Sequence, residues 1–184
     1  MAELATPLSI RTAVAGDAPS IAAIGRVAFP AMHDTVVGPA VAAAIVEKTY
    51  SIEALTACIT FCGRADDAHF LVAEDGREVV GYLHYDSEAA EPELHRIYVD
   101  PARKRGGIGT ALLRELHARL EPGTSYVLLV AEENTSAQAF YERHGFVFEA
   151  QVIGAEHYAK AMGIDIAAQE GYADRALLLR MTLP

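Results

Sequence analysis

The sequence has no long uninterrupted apolar run, only two cysteines, and fewer basic than acidic side chains, and each shortage excludes something. Its apolar stretches are short and broken by charges, so none is expected to cross a bilayer, which takes about 20 apolar residues in a helix. Met1 to Ala5 has neither the basic start nor the long apolar core of a secretory leader, and a cytoplasmic location is expected. Fifteen Lys and Arg against 25 Asp and Glu leave a net charge of −10. That balance argues against a nucleic-acid partner, because such binding draws on a cationic surface. It is compatible with cationic small substrates, and equally with acidity that serves only solubility. Cys58 and Cys62 stand four residues apart, on one face of an expected helix, where a disulfide has poor geometry and a metal would lack further thiolates. Buried free thiols are expected there, and no metal.

What is present is enough apolar material for a core. The 184 residues are 52% hydrophobic and show no repeat or low-complexity tract, so one domain over 1–184 is expected. Its centre of organisation runs from Leu94 to Leu120. Ile97, Tyr98 and Val99 read as a strand, Asp100-Pro101 as a turn, and Ile108, Leu112, Leu113, Leu116 and Leu120 as the apolar stripe of a helix that stops at Pro122-Gly123. Between strand and helix lie Arg103, Lys104 and Arg105, then Gly106, Gly107, Gly109 and Thr110. Glycines let a ligand approach the backbone, and a helix start offers unpaired N–H groups to an anion, so a pyrophosphate would suit this loop best. It is not a P-loop, which needs Lys-Ser or Lys-Thr after its last glycine. Nor is it G-x-G-x-x-G, since Thr110, Ala111 and Leu112 follow Gly109.

The string Lys104-Arg105-Gly106-Gly107-Ile108-Gly109 resembles motif A, [Q/R]-x-x-G-x-[G/A], of the Gcn5-related N-acetyltransferase (GNAT) family, with Lys104 where Gln or Arg is usual. Downstream, Asn134 to Phe146 resembles that family's N-x-x-A-x-x-F-Y-x-x-x-G-F segment through Asn134, Ala137, Phe140, Tyr141, Gly145 and Phe146. The resemblance implies an α/β (α+β) fold: a mixed, mostly antiparallel central sheet of six to seven strands, splayed between the fourth and fifth and flanked by helices. It implies acetyl-CoA as cofactor, with main-chain contacts from Ile97 and Val99 beside Tyr98. The amides of Arg105, Gly106, Gly107, Ile108, Gly109 and Thr110, next to Lys104, would cradle the pyrophosphate. Asn134, Ala137, Phe140 and Tyr141 would complete the cofactor side.

Along the chain, Leu8 to Ala13 reads as a strand, and Pro19 opens a helix through Ile21, Ile24, Val27 and Ala28 that Pro30 is expected to end. A loop around His33, Asp34 and Gly38 precedes a helical stretch from Pro39 to Cys62, broken near Tyr50-Ser51. His69 to Glu74 and Glu78 to Tyr85 flank Asp75-Gly76 as a hairpin. Glu93 to Val99, Ser125 to Ala131, Phe146 to Ile153 and Arg175 to Leu183 read as further strands. A helix from Thr135 to His144 is expected to open on a capping box of Thr135 and Gln138. Gly154 to Asp174 is a long connection of the kind that often serves function.

For chemistry, the resemblance makes Tyr141 the candidate general acid. Glu93 and His95, on one face of the central strand unless a bulge intervenes, are candidate bases. A free N–H on that strand, Val99 first, is the candidate oxyanion donor. His33, Tyr85 and Asp86 are candidate acceptor-binding residues. The expected reaction is direct attack of a primary amine on the thioester in a ternary complex, with a small cationic acceptor such as a polyamine. A protein or peptide amine and a non-catalytic acyl-CoA sensor are the alternatives. Leu128-Leu129-Val130 carry no carboxylate, which counts against the ribosomal-protein type. A homodimer is possible, and a membrane partner is not expected.

Overall fold

The structure, a computed structural model, describes residues 8–37, 39–65, 68–87, 91–153 and 175–184. Within these residues the chain forms β1 (Ser9–Thr12), α1 (Ala18–Val37), α2 (Pro39–Thr49), α3 (Ile52–Cys62), β2 (His69–Asp75), β3 (Glu78–Asp86), β4 (Glu93–Val99), α4 (Ile108–Arg119), β5 (Ser125–Ala131), α5 (Thr135–Arg143), β6 (Val147–Ile153) and β7 (Arg175–Thr182). The sheet has seven strands in the order β1-β2-β3-β4-β5-β7-β6, all neighbours antiparallel except β4 and β5. The Gly154 to Asp174 connection lies outside the described residues.

Alternation along β2 sorts the core into two layers. Phe70 and Val72 pack with Ile21, Ile24, Ile45, Leu55 and Ile59 of α1 to α3. Leu71 and Ala73 face the other way and pack with Leu112, Leu113 and Leu116 of α4. Helices therefore cover both faces, and β5 reads as a nearly continuous apolar run, buried on both sides.

Two expectations are corrected here. Pro30 does not end its helix: α1 continues to Val37. Proline costs a helix interior about 3 kcal/mol, but Ala28 and Phe29 beside it are buried in the layer shared with α2 and α3, and that burial outweighs the lost hydrogen bond. His33 consequently sits in α1 and not in a loop; its side chain is outside the described set. The break near Tyr50 is real. Ser51 caps α3 by accepting from the Ala54 N–H at 3.1 Å.

Tyr50, at that break, is enclosed. Its ring lies against Gly25 of α1 so closely that a Cβ on Gly25 would overlap it. Arg26 donates to the Tyr50 carbonyl at 3.2 Å through both Nε and Nη2. Gly25→Ala should therefore destabilise the fold by about 1–3 kcal/mol through overpacking, despite the better helix propensity of alanine. Urea denaturation measures this; an unchanged midpoint would show that Tyr50 can move aside.

Candidate active site

The site begins where β4 stops pairing. β4 and β5 share one register pair, Glu93 with Val127, and the Val127 N–H donates to the Pro92 carbonyl at 2.9 Å. Beyond that point they part. On the other edge of β4, Asp100 N–H donates to Val80 O at 2.9 Å, and the register runs Val99 with Gly81, Tyr98 with Tyr82, Ile97 with Leu83. In an antiparallel pair hydrogen-bonded positions alternate, so Tyr98 bonds to β3 while Ile97 and Val99 turn their N–H and C=O groups toward the gap. Those are the residues expected to offer main-chain contacts.

The gap is a cleft, open to solvent and lined by β4 from Leu94 to Tyr98, β5 from Leu129 to Ala131, and Asn134, Ala137 and Tyr141. At its end stands the glycine loop. Gly107 is the N-cap of α4, left-handed at φ +76°, and no side chain caps the helix. The first helical bond, Ala111 N–H to Gly107 O at 2.9 Å, leaves the amides of Ile108, Gly109 and Thr110 without intrahelical acceptors. A Cβ at Gly107 would meet nothing within 4 Å, so the space before the helix is open. Arg105 is also left-handed, at φ +70°, which strains a residue with a Cβ by roughly 1–2 kcal/mol. Lys104 and Arg105 are exposed beside these amides. Open amides at a helix start beside two exposed cations are the features that an anion such as a pyrophosphate would need.

Arg103 does not join these two cations. Its guanidinium is bound to Asp75 at 2.6 Å and Glu78 at 3.1 Å, across the β2–β3 turn. Gly109 answers to packing as well: a Cβ there would come 3.4 Å from the Phe140 ring. Phe140 thus lies between α4 and α5, against the His144 ring (4.3 Å), and does not line the cleft. Thr110 Oγ1 is 3.1 Å from His144 Nε2, whose Nδ1 lies 2.7 Å from the Phe140 carbonyl. A carbonyl only accepts, so Nδ1 is the donor in that contact.

The expected capping box is replaced by a different cap. Asn134, one residue earlier, is the N-cap of α5, its Oδ1 accepting from Ala137 N–H at 3.1 Å. The Gln138 amide instead donates to the carbonyls of Ala131 (3.2 Å) and Glu132 (2.7 Å) and ties α5 to the end of β5. Asn134 still lines the cleft, but its side-chain oxygen is engaged. Tyr141, one helical turn beyond Ala137, is buried between Phe140 and Phe146, each 5.3 Å away. Burial pushes its phenol up from the ordinary tyrosine range, which keeps the proton on.

A bulge in β4 sets the opposite wall. His84 pairs with Arg96 and Tyr85 with Leu94, which makes His95 the extra residue. Leu94, Ile97 and Val99 consequently face α4. Arg96 lies over the Tyr50 ring (5.3 Å), His95 against His84 (5.0 Å) and Tyr98 against Tyr82 (5.7 Å), on the α1–α3 face. Glu93 and His95 share that face, and Asp86 joins them. His95 Nδ1 lies 3.3 Å from Glu93 Oε1, and Nε2 lies 3.9 Å from Asp86 Oδ2. An imidazole between two carboxylates can take a proton from a bound amine and keep the positive charge paired.

Tyr85 does not belong with them. It is 1% exposed and packs edge-on against Tyr126 (5.4 Å) in the α4 layer, because residues 85 and 86 alternate across the sheet. The sequence reading also missed Leu94, Arg96 and the β5 residues Leu129, Val130 and Ala131 as cleft walls. Only the splay exposes them, and an apolar run carries no mark of it.

Residues 66–148 match the family model described as acetyltransferase (GNAT) domain. Among curated relatives, the chain is 39% identical over 82 residues to N-alpha-acetyltransferase RimI of Mycobacterium tuberculosis, covering 42% of this chain and 51% of that one. It is 34% identical over 79 residues to a probable N-acetyltransferase of the same organism, covering 41% of this chain and 44% of that one. The chain thus spans about half the length of these curated relatives. Among solved structures, the PaiA N-acetyltransferase of Thermoplasma acidophilum in complex with coenzyme A superposes with a TM-score of 0.73 at 19% identity, covering 96% of this chain and 99% of that one. A ribosomal-protein-alanine N-acetyltransferase from Brucella melitensis gives 0.70 at 21% identity, covering 95% and 99%. At such identity these two likenesses speak for the fold alone. Residues 66–148 are thus similar to an acetyltransferase (GNAT) domain, and the sheet has the architecture of the solved N-acetyltransferases.

Proposed function

We propose that the chain is an acetyl-CoA-dependent N-acetyltransferase, one domain over 1–184 acting in the cytoplasm, that transfers an acetyl group to a primary amine by direct attack in a ternary complex. One observation carries this reading. The main-chain groups of Ile97 and Val99 face the same gap as Tyr141, and β4 runs from that gap into the turn before the uncapped start of α4. An extended amide-bearing arm could pair with β4 as an added strand while its phosphates rest on the helix start.

When bound, acetyl-CoA supplies a thioester whose carbonyl carbon the amine attacks and whose sulfur leaves as thiolate. An alkylammonium has a pKa near 10.4, so at neutral pH about one molecule in a thousand is the free amine, a cost of about 4 kcal/mol. His95, with Glu93 and Asp86 at its nitrogens, is the base that takes this proton. The N–H of Val99 donates to the carbonyl oxygen as negative charge gathers there. Tyr141 holds its proton by burial and gives it to the departing sulfur.

The acceptor we favour is a small cationic amine such as a polyamine. Asp86 and Glu93, beside the cleft residue His95, and the net charge of −10 support it. The second reading, a protein or peptide N-terminus, is favoured by the 82-residue likeness to an N-alpha-acetyltransferase. Release of free thiol from acetyl-CoA in the presence of polyamines and short peptides separates the two. Turnover confined to peptides would overturn the first, and tight cofactor binding without turnover on any amine would make the chain a sensor.

Tyr141→Phe should slow thiol release on the order of 100-fold or more while leaving coenzyme A affinity nearly unchanged; wild-type turnover would remove Tyr141 from the chemistry. Gly107→Asp puts a carboxylate in the open space before α4, at a φ that aspartate tolerates better than most residues. Calorimetry should show coenzyme A binding lost in a folded protein, and unchanged affinity would refute the cradle.

A further inference from the structure

Behind the cleft wall, on the α1–α3 side of the sheet, lies a cluster that the acyl-transfer reading does not use. Cys58 and Cys62 sit one turn apart on α3, and His84 reaches them from β3. Their Sγ and imidazole nitrogen atoms all lie within 4.8 Å of one another, and Cys58 Sγ is 3.5 Å from His84 Nε2. Tetrahedral zinc, with Zn–S about 2.3 Å and Zn–N about 2.0–2.1 Å, sets sulfur and nitrogen ligands roughly 3.6 Å apart. The spacing already present is therefore close to that of a bound ion.

We propose that Cys58, Cys62 and His84 form a binding site for a soft divalent transition metal, Zn²⁺ in the first instance, with a fourth coordination position left for water.

Three further features agree. The donor set of two sulfurs and one imidazole is the one that selects zinc-like ions over magnesium or calcium. Cys58 and Cys62 are both free of any disulfide, and the thiolate is the form that binds metal. His84 Nδ1 is buried with no partner among the described residues, and the ring's Nε2 is turned to Cys58. Cys62 and His84 are buried, whereas Cys58 is half-buried and gives an ion a way in. Binding would displace the remaining thiol protons to solvent and leave two thiolates against a dication, with no net charge at the site. The ion would clamp α3 to β3. Because the His84 ring lies 5.0 Å from that of His95, it would also brace the residue that lines the cleft.

The inference does not rest on the acetyltransferase reading, and its test is spectroscopic. Cobalt(II) added to the reduced full chain should give one equivalent of tight binding, a thiolate-to-cobalt charge-transfer band in the near ultraviolet and the intense visible bands of a tetrahedral site. Zinc should abolish all three signals by displacement. The double variant Cys58→Ser, Cys62→Ser should lose the charge-transfer band, and His84→Gln should weaken binding on the order of tenfold or more. Absence of that band in the wild type, or its persistence in the double variant, overturns the site. Should the variants fail to fold, alkylation of the wild-type thiols decides. One equivalent of zinc should protect both, and undiminished labelling overturns the proposal. Coenzyme A affinity measured on the same samples reports separately on the cleft.

Discussion

Everything about the site depends on backbone groups of one strand that have no strand to bond with among the described residues. A buried N–H or C=O without a partner costs about 1–3 kcal/mol, and the central strand of a seven-stranded sheet would ordinarily satisfy both edges. Here β4 is bonded to β3 along its length, but it meets β5 at Glu93 and Val127 and then diverges. Ile97 and Val99 are left with main-chain groups that solvent or a ligand must satisfy. The cleft is thus a missing piece of sheet, and an extended molecule bearing amides is its natural complement.

The bulge at His95 is the second constraint, and it acts on the side chains. One extra residue in β4 turns Glu93, His95, Arg96 and Tyr98 to the α1–α3 face and leaves Leu94, Ile97 and Val99 toward α4. A polar wall and an apolar wall are thereby built from a single strand. The polar wall carries the imidazole between Glu93 and Asp86. The apolar wall encloses Tyr141, whose protonated phenol follows from the same exclusion of water. Tyr141 and His95 stand on opposite sides because the backbone separates them.

Much of this could be read along the chain. The glycine loop, its helix, the Asp75-Gly76 hairpin, the break at Tyr50-Ser51 and the Asn134–Phe146 segment rest on local rules that operate within a few residues. Where the local rule met a tertiary one, it lost. Pro30 sits inside a helix because the packing of Ala28 and Phe29 outweighs it. Tyr85 is core and not cleft, because alternation sends it to the opposite face from Asp86. Arg103 leaves the anion loop for two carboxylates nearly thirty residues earlier in the chain.

The sequence by itself determined the order of the elements, the glycine-led helix start and the family likeness, since each is written in contiguous residues whose conformational preferences need no distant partner. The tertiary structure decided the splay of β4 from β5, the direction of each side chain after the bulge, and the meeting of His84 with Cys58 and Cys62. These are relations between segments far apart in the chain. They are set by which surfaces pack together, and no run of residues states them in advance.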